Sequence, residues 1–224
     1  MNKNDVEILI PTYNEAGNIE KVIKDLNIEG FENITILDAN SIDSTVSIAK
    51  KYNCKIILDD PNVKGFGGSI INGLDKLESD YFCIFDGDNS FDPKGVSSMM
   101  REISNGHDFI FGTRYLNNSK SEDDTLLSKF ANYFITKLVR ILFKIDTTDV
   151  LFFYILGKKE NIKKLDLKQQ DMTICTEFLI KSYRNFKCKE IISKERKRLS
   201  GASKVNKVFE GFKILGNILK LYFN

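Results

Sequence analysis

Several short segments of this 224-residue chain combine residue types and spacings that can do chemistry. The hydrophobic run Phe82-Cys83-Ile84-Phe85 leads directly into Asp86-Gly87-Asp88, then Asn89-Ser90-Phe91-Asp92-Pro93. Side chains two apart project to the same side of an extended chain. Asp86 and Asp88 can therefore share one hard divalent cation through oxygen ligands and leave positions for phosphate oxygens, as Mg²⁺ or Mn²⁺ requires. An acidic turn capping a helix after Pro93 accounts for Asp92 but leaves the pair at the strand end unexplained. Phe109-Ile110-Phe111-Gly112-Thr113-Arg114-Tyr115 delivers a cation in the same way. Arg114 would complement an anion facing two acids; the plainer reading is a surface arginine in a loose ion pair, worth roughly 0–1 kcal/mol.

Three further segments belong beside these. In Ile10-Pro11-Thr12-Tyr13-Asn14-Glu15, Pro11 lacks a ladder donor and should stop a strand, leaving Tyr13 and Glu15 at its carboxyl edge. A strand end followed by a helix cap at Asn14 or Asn18 explains the same residues. In Leu37-Asp38-Ala39-Asn40-Ser41-Ile42-Asp43-Ser44, acceptors could receive the hydrogens of a nucleotide base or ribose, with Asp43 or Ser44 as a cap. Asp38 is costly at that edge unless it is paired or bound. The glycines of Lys64-Gly65-Phe66-Gly67-Gly68-Ser69 permit close backbone approach, but the segment lacks the spacing of a P-loop and reads as close packing near a ligand. His107 is the single histidine, placed in a turn, so triads with a histidine base and histidine-based zinc sites are poorly supported.

The elements that position these residues follow from periodicity. Residues 7–10, 34–37, 55–58, 81–85 and 109–111 read as strands. Between them Ile19/Val22/Ile23/Leu26, Thr45/Ile48/Ala49/Tyr52, Ile70/Ile71/Leu74/Leu77 and Val96/Met99/Met100/Ile103 place apolar groups on one helical face. Such alternation predicts an α/β fold with a mostly parallel sheet flanked by helices, and ligands at the carboxyl ends of its strands. After a polar, acidic loop at 116–125, readable as a lid, come an apolar-basic segment at 126–145, a helix at 175–184, a strand at 190–193 and an amphipathic C-terminal segment at 205–223. One domain over 1–224 is expected.

Thirty-three basic and 31 acidic residues leave a net charge of +2, too balanced to announce nucleic-acid binding. The second half is the basic one, which suits phosphates or a membrane surface. Cys54, Cys83, Cys175 and Cys188 are scattered and read as reduced packing residues. The amino terminus shows no secretory signal, and no apolar run approaches the ~20 residues of a spanning helix. A cytoplasmic protein, in reach of the cytoplasmic face of a membrane, is the expectation.

With the motifs assembled in order, the chain resembles, over nearly its entire length, the dolichyl-phosphate and polyprenyl-phosphate mannosyl- and glucosyltransferases, members of the inverting GT-A glycosyltransferases with a Rossmann-like fold. The opening Ile10-Pro11-Thr12-Tyr13-Asn14-Glu15, Asp86-Gly87-Asp88, Gly112-Thr113-Arg114-Tyr115 and Arg198-Leu199-Ser200-Gly201-Ala202-Ser203-Lys204 match family motifs. Ser128-Lys129-Phe130-Ala131-Asn132 resembles a helix start that usually carries arginine at Lys129, and Glu177 a recurrent helix carboxylate. The resemblance implies that Pro11, Tyr13, Glu15, Leu37, Asp38 and Ala39 line the nucleotide site. It implies that Asp86, Gly87 and Asp88 meet metal and diphosphate, and that Arg114, Lys129, Arg198 and Lys204 meet phosphate. Residues 1–115 would hold the GDP- or UDP-sugar and 116–224 the acceptor. Where the family has two adjacent aspartates this chain has Asp38-Ala39, so the nucleobase does not transfer; an arginine usual after Asp149 is replaced within Val150-Leu151-Phe152-Phe153.

The resemblance implies transfer with inversion to a polyprenyl phosphate, an acceptor that needs no general base; Asp149 or Glu177 remain candidate bases. Transfer to a saccharide and a non-catalytic sugar-nucleotide-binding partner are the alternatives. The segments 126–145 and 205–223 could lie in a membrane interface, contact a membrane-protein partner, or serve as core or dimer helices.

Overall fold

Alternating burial divides the chain into two cores. In the computed structural model, which describes residues 1–116, 126–201 and 207–223, one sheet contains β1 (Val6–Thr12), β2 (Ile34–Asp38), β3 (Lys55–Leu58), β4 (Tyr81–Ile84), β5 (Phe109–Thr113), β6 (Ile155–Lys158) and β7 (Cys188–Ile192). Their order is β3-β2-β1-β4-β6-β5-β7. Successive strand side chains leave opposite faces. Ile8, Ile10, Ile36, Cys83 and Ile110 enter one core, while Leu9, Leu37, Phe82, Ile84, Phe109 and Phe111 enter the other.

Helices cover both faces. The apolar stripes of α1 (Ile19–Ile28) and α4 (Lys94–Ser104), with Ala49 of α2 (Thr45–Lys51), complete the first core. Those of α3 (Gly65–Asp75), α5 (Leu126–Phe143), α7 (Ile174–Asn185) and α8 (Lys207–Phe223) complete the second, and Leu165 of the short α6 (Ile162–Leu165) joins them. Among the described residues, no helix is long and apolar enough to cross a membrane.

The expected mostly parallel sheet is present, with one addition. β6 runs antiparallel between β4 and β5. Tyr154, Ile155 and Leu156 are buried, and a strand covered on both faces reads as an uninterrupted apolar run that period-two alternation does not flag.

Pro11 does not stop its strand. β1 continues to Thr12, with Pro11 opposite Leu37 and Thr12 opposite Asp38. Its ladder to β4 ends earlier, at Leu9 opposite Ile84, closed by the Phe85 N–H donating to the Leu9 carbonyl at 2.9 Å. Pro11 faces the same side as Leu9, beyond that last bond, so its missing donor breaks nothing. There β1 and β4 part. Earlier strands lie to one side of this point and later ones to the other, which is where open α/β sheets form their ligand crevice.

Candidate active site

A cleft of about 580 Å³ opens at the carboxyl ends of β1 and β4. Pro11, Tyr13, Glu15, Ala39, Asp86, Asp88, Arg114 and Arg198 all line it, together with Ser69, Phe152 and Glu195. Residues far apart in the chain thus meet because the ends of the strands meet.

The two aspartates reach the cleft differently from the extended-chain expectation. β4 ends at Ile84, and Asp86 and Asp88 occupy the turn that follows. Gly87 lets this turn pass over the end of β1: a Cβ there would lie 3.2 Å from both the Pro11 carbonyl oxygen and Thr12 Cγ2. Asp88 Oδ1 accepts from the Ser90 N–H at 2.8 Å, while Oδ2 lies 2.6 Å from Arg198 Nη2. The other arm of Arg198, Nη1, is 3.5 Å from Glu15 Oε1. Glu15 is in turn fixed by Asn18, whose Nδ2 donates to Oε2 at 2.6 Å.

Asp86 carries the electrostatic cost of this gathering. Burial first, then the charge of Asp88 and to a lesser degree that of Glu15, pushes its carboxyl up to about 8, against the opposing pull of Arg198. Carboxylates gathered this closely attract a cation, and the Arg198 guanidinium already pairs with Asp88 and Glu15. The oxygen donors suit a hard divalent ion. Among the described residues, no group of three or more His, Cys, Asp or Glu side chains is arranged to hold an ion unaided. Asp86 and Asp88 would therefore share it with substrate or water oxygens.

Arg114 lines the cleft, but it is neither a loose surface cation nor an open phosphate ligand. Its Nε and Nη2 donate to Asp149 at 2.7 and 3.0 Å, and Nη1 lies 3.3 Å from each oxygen of Glu195. The guanidinium also packs against the rings of Phe152 and Tyr115, 5.0 and 5.1 Å from their centroids. The charge of Asp149 raises the Arg114 pKa against burial, which works to lower it and is the larger single influence.

Leu37 and Asp38 lie beneath the cleft instead of in its wall. Leu37 belongs to the apolar core under α3. Asp38, fully buried, accepts from Thr12 Oγ1 at 2.8 Å and from the N–H and Oγ of Ser41 at 2.7 Å each. Its lone pairs are spent on the protein, which is how the burial cost foreseen for it is met. Ala39 reaches the cleft, at the position after it.

The glycine segment does what the packing reading expects. A Cβ on Gly67 would meet the Gln169 carbonyl at 2.4 Å. Glu177 holds that neighbouring loop, accepting from the N–H groups of Lys168 and Gln169 at 2.9 Å each and pairing with Lys181 at 2.8 Å. Asp149, saturated by Arg114 and by Asn132 Nδ2 at 2.9 Å, is equally committed. Both candidate bases are thus closed by their own partners.

Lys129 lies apart from the cleft. It lines a second cavity, of about 650 Å³, with Asn132, Tyr133, Lys137, Arg140 and Ile141. Lys204 and the 117–125 part of the lid reading fall outside the described residues. Glu195 is the cleft residue that motif reading missed, because in Lys194-Glu195-Arg196-Lys197-Arg198 it looks like one sign in a solvated charge run. An acid placed three residues before a motif arginine was the available signal.

A model of the family described as glycosyl transferase family 2 matches residues 7–166. A UDP-N-acetylglucosamine–dolichyl-phosphate N-acetylglucosaminyltransferase of Methanococcus voltae is 27% identical over 242 residues, covering 96% of this chain and 95% of the relative. The dolichol-phosphate mannosyltransferase of Pyrococcus furiosus is 29% identical over 185 residues, covering 79% of this chain; the match spans 52% of that longer protein. Among solved structures, glucosyl-3-phosphoglycerate synthase of Mycobacterium tuberculosis, in complex with Mn²⁺, UDP-glucose and phosphoglyceric acid, superposes with a TM-score of 0.78 at 13% identity, covering 97% of this chain and 79% of that one. That likeness establishes the GT-A, Rossmann-like fold. Family match, fold and a crevice at the parting of β1 and β4 agree, and the chain belongs to glycosyl transferase family 2.

Proposed function

We propose that the chain moves a hexose from a nucleoside diphosphate sugar to the phosphate of a polyprenyl lipid, with inversion at the anomeric carbon, at the cytoplasmic face of a membrane. The observation that carries this reading is the gathering of Asp86, Asp88 and Glu15 about the Arg198 guanidinium in the crevice where β1 and β4 part. Asp86 and Asp88 would hold Mg²⁺ or Mn²⁺, which when bound supplies positive charge against the diphosphate. Pro11, Tyr13 and Ala39 would line the nucleoside of a UDP- or GDP-sugar. Arg198, with Lys204, would offset charge as the nucleoside diphosphate departs, and Arg114 would meet phosphate from the cleft wall. Residues 1–115 supply the donor side and 116–224 the acceptor side of one unit.

Sealed bases favour a phosphate acceptor. A phosphate monoester has its second pKa near 6 and needs no proton removed at neutral pH. The cavity of Lys129, Lys137, Arg140, Tyr133 and Ile141 offers cations beside apolar surface, as a prenyl phosphate would need. It meets the cleft at consecutive residues, Tyr115 lining the cavity and Arg114 the cleft.

Packed together, α5 and α8 turn aromatic groups outward. Phe130, Tyr133, Phe134 and Ile141 follow one helical stripe of α5, and Phe209, Phe212, Leu219 and Phe223 one of α8. Phe130 and Phe212 are 70% and 72% exposed. With Lys129, Lys137, Arg140, Lys213 and Lys220 on the same helices against one acid, Glu210, this surface suits an anionic bilayer. Both curated relatives carry dolichol or dolichyl phosphate in their names.

One observation favours a second reading, transfer to a saccharide: Glu195 brings into the cleft a carboxylate that a hydroxyl acceptor could use as its base. Labelled UDP- and GDP-hexoses with Mn²⁺, offered with and without polyprenyl phosphate in anionic vesicles, separate the cases. Label in the lipid fraction, and sedimentation of the chain with the vesicles, is the expected result. Label on an added saccharide alone would transfer the conclusion to the second reading, and donor binding with no product would end the catalytic one.

A further inference from the structure

Residues 193–201 run along the mouth of the cleft as a strap stitched to it at successive points. The Ser193 N–H donates to the Thr113 carbonyl at 2.9 Å, and Glu195 bridges to Phe91. The Arg196 N–H donates to the Ser90 carbonyl at 2.7 Å, while its side chain pairs with Asp92 at 2.7 Å and Asp25 at 3.2 Å. The N–H and Oγ of Ser200 donate to Asn18 Oδ1 at 2.9 Å each, so close over Gly17 that a Cβ there would lie 2.4 Å from Ser200 Oγ.

Between these anchors the strap extends two charges of opposite sign into the cleft. Glu195 lies on Arg114, the group assigned above to phosphate, and Arg198 lies on Asp88, assigned above to the divalent ion. Each strap residue carries the sign of the substrate group that would replace it. At Arg114 the contact with Glu195 is looser than that with Asp149: 3.3 Å to both Glu195 oxygens against 2.7 and 3.0 Å to Asp149. Asp149 can therefore keep Arg114 in place while Glu195 exchanges. At Asp88, a divalent ion cannot enter at the same oxygen while a guanidinium remains 2.6 Å away, because like charges at that separation repel strongly in a half-buried site.

We propose that this strap is a self-inhibitory contact in which Glu195 stands in for a substrate phosphate and Arg198 for the divalent metal, so that loading the cleft and releasing the strap are one event. The proposal rests on the donor-site reading above. Arg196 and Ser200, whose partners lie outside the pair of exchanged contacts, keep the strap tethered while 195 and 198 change partners. A newly freed Arg198 then lies within reach of the arriving diphosphate.

Binding to the full chain, measured without turnover, tests this. Mn²⁺ titrated in the absence of nucleotide, followed by electron paramagnetic resonance, should bind Arg198→Gln about tenfold more tightly than the unaltered chain, equivalent to ~1.4 kcal/mol. UDP titrated in the absence of metal should bind Glu195→Gln several-fold more tightly, with no gain for Mn²⁺. On the unaltered chain, Mn²⁺ alone should speed tryptic cleavage after Arg198, a readout that needs no variant. Equal Mn²⁺ constants for the two chains, or unchanged cleavage, overturn the proposal while leaving the metal assignment standing. Failure of Mn²⁺ to bind either chain removes the metal assignment itself and this inference with it.

Discussion

The second and fourth strands end alike, each handing an apolar run over to an aspartate, yet the two aspartates live in opposite surroundings. Asp38, beyond the reach of solvent, has three hydrogen bonds from Thr12 and Ser41. Asp86 has the charges of Asp88 and Glu15 beside it and a carboxyl driven up to about 8. Burial alone does not mark a functional acid. A carboxylate that the fold furnishes with its own donors is scaffold, whereas one pressed against others of its sign is waiting for a cation.

The largest effect that could break this contrast is on turnover. Asp88→Asn keeps an oxygen for the Ser90 N–H but loses the charge that would hold the metal. Transfer should fall by about 10²-fold or more, the several kcal/mol that such a metal supplies to the leaving group. The melting temperature should change little, because losing the pair with Arg198 is offset by relief of the repulsion that Asp88 exerts on Asp86. Metal-dependent activity at the unaltered level in this variant, measured with and without chelator, would reverse the roles given to the two strand ends.

Next comes the opposite substitution. Asp38→Ala leaves the Thr12 hydroxyl and the Ser41 N–H without their acceptor. Buried donors left unmade should cost about 2–4 kcal/mol. For a chain of this size that is a fall in melting temperature of roughly 5–15 °C. Donor affinity per folded molecule should be retained, since Asp38 lies under the cleft wall. A calorimetric scan paired with UDP binding distinguishes this from a direct ligand, which would lose affinity without losing stability.

What could be read in advance divides along the same line. Runs and stripes specified the strands β1 to β5, the helices between them and the edge at which chemistry would gather, because period and burial are local properties. Asp86 and Asp88 stood out because their spacing is unusual, and Arg198 because its loop resembles a family motif. The structure alone separated Asp38 from Asp86, since the difference lies in Thr12, Ser41, Glu15 and Arg198, partners supplied by other segments. Glu195 was hidden for the same reason. Its meaning comes from Arg114, 81 positions earlier, and its place three residues before Arg198 is a faint mark within a basic run. β6 was missed for a different cause: double-sided burial erases the alternation by which strands are recognised.

The smallest effect sharpens the comparison by pH. In the folded chain the Asp86 carboxyl is raised from 3.8 to about 8, so between those values the folded state holds a proton that the unfolded state has released. Stability must then fall as pH rises through that window, because the slope follows the difference in bound protons. Asp86→Asn removes the dependence. The variant and the unaltered metal-free chain should melt together near pH 4, and the variant should melt higher by pH 8. Mn²⁺ should narrow that gap by stabilising the unaltered chain alone, since the ionised carboxylate is the form a cation selects. A melting gap that does not widen between pH 4 and pH 8 would mean that the company of Asp88 and Glu15 does not set Asp86 apart.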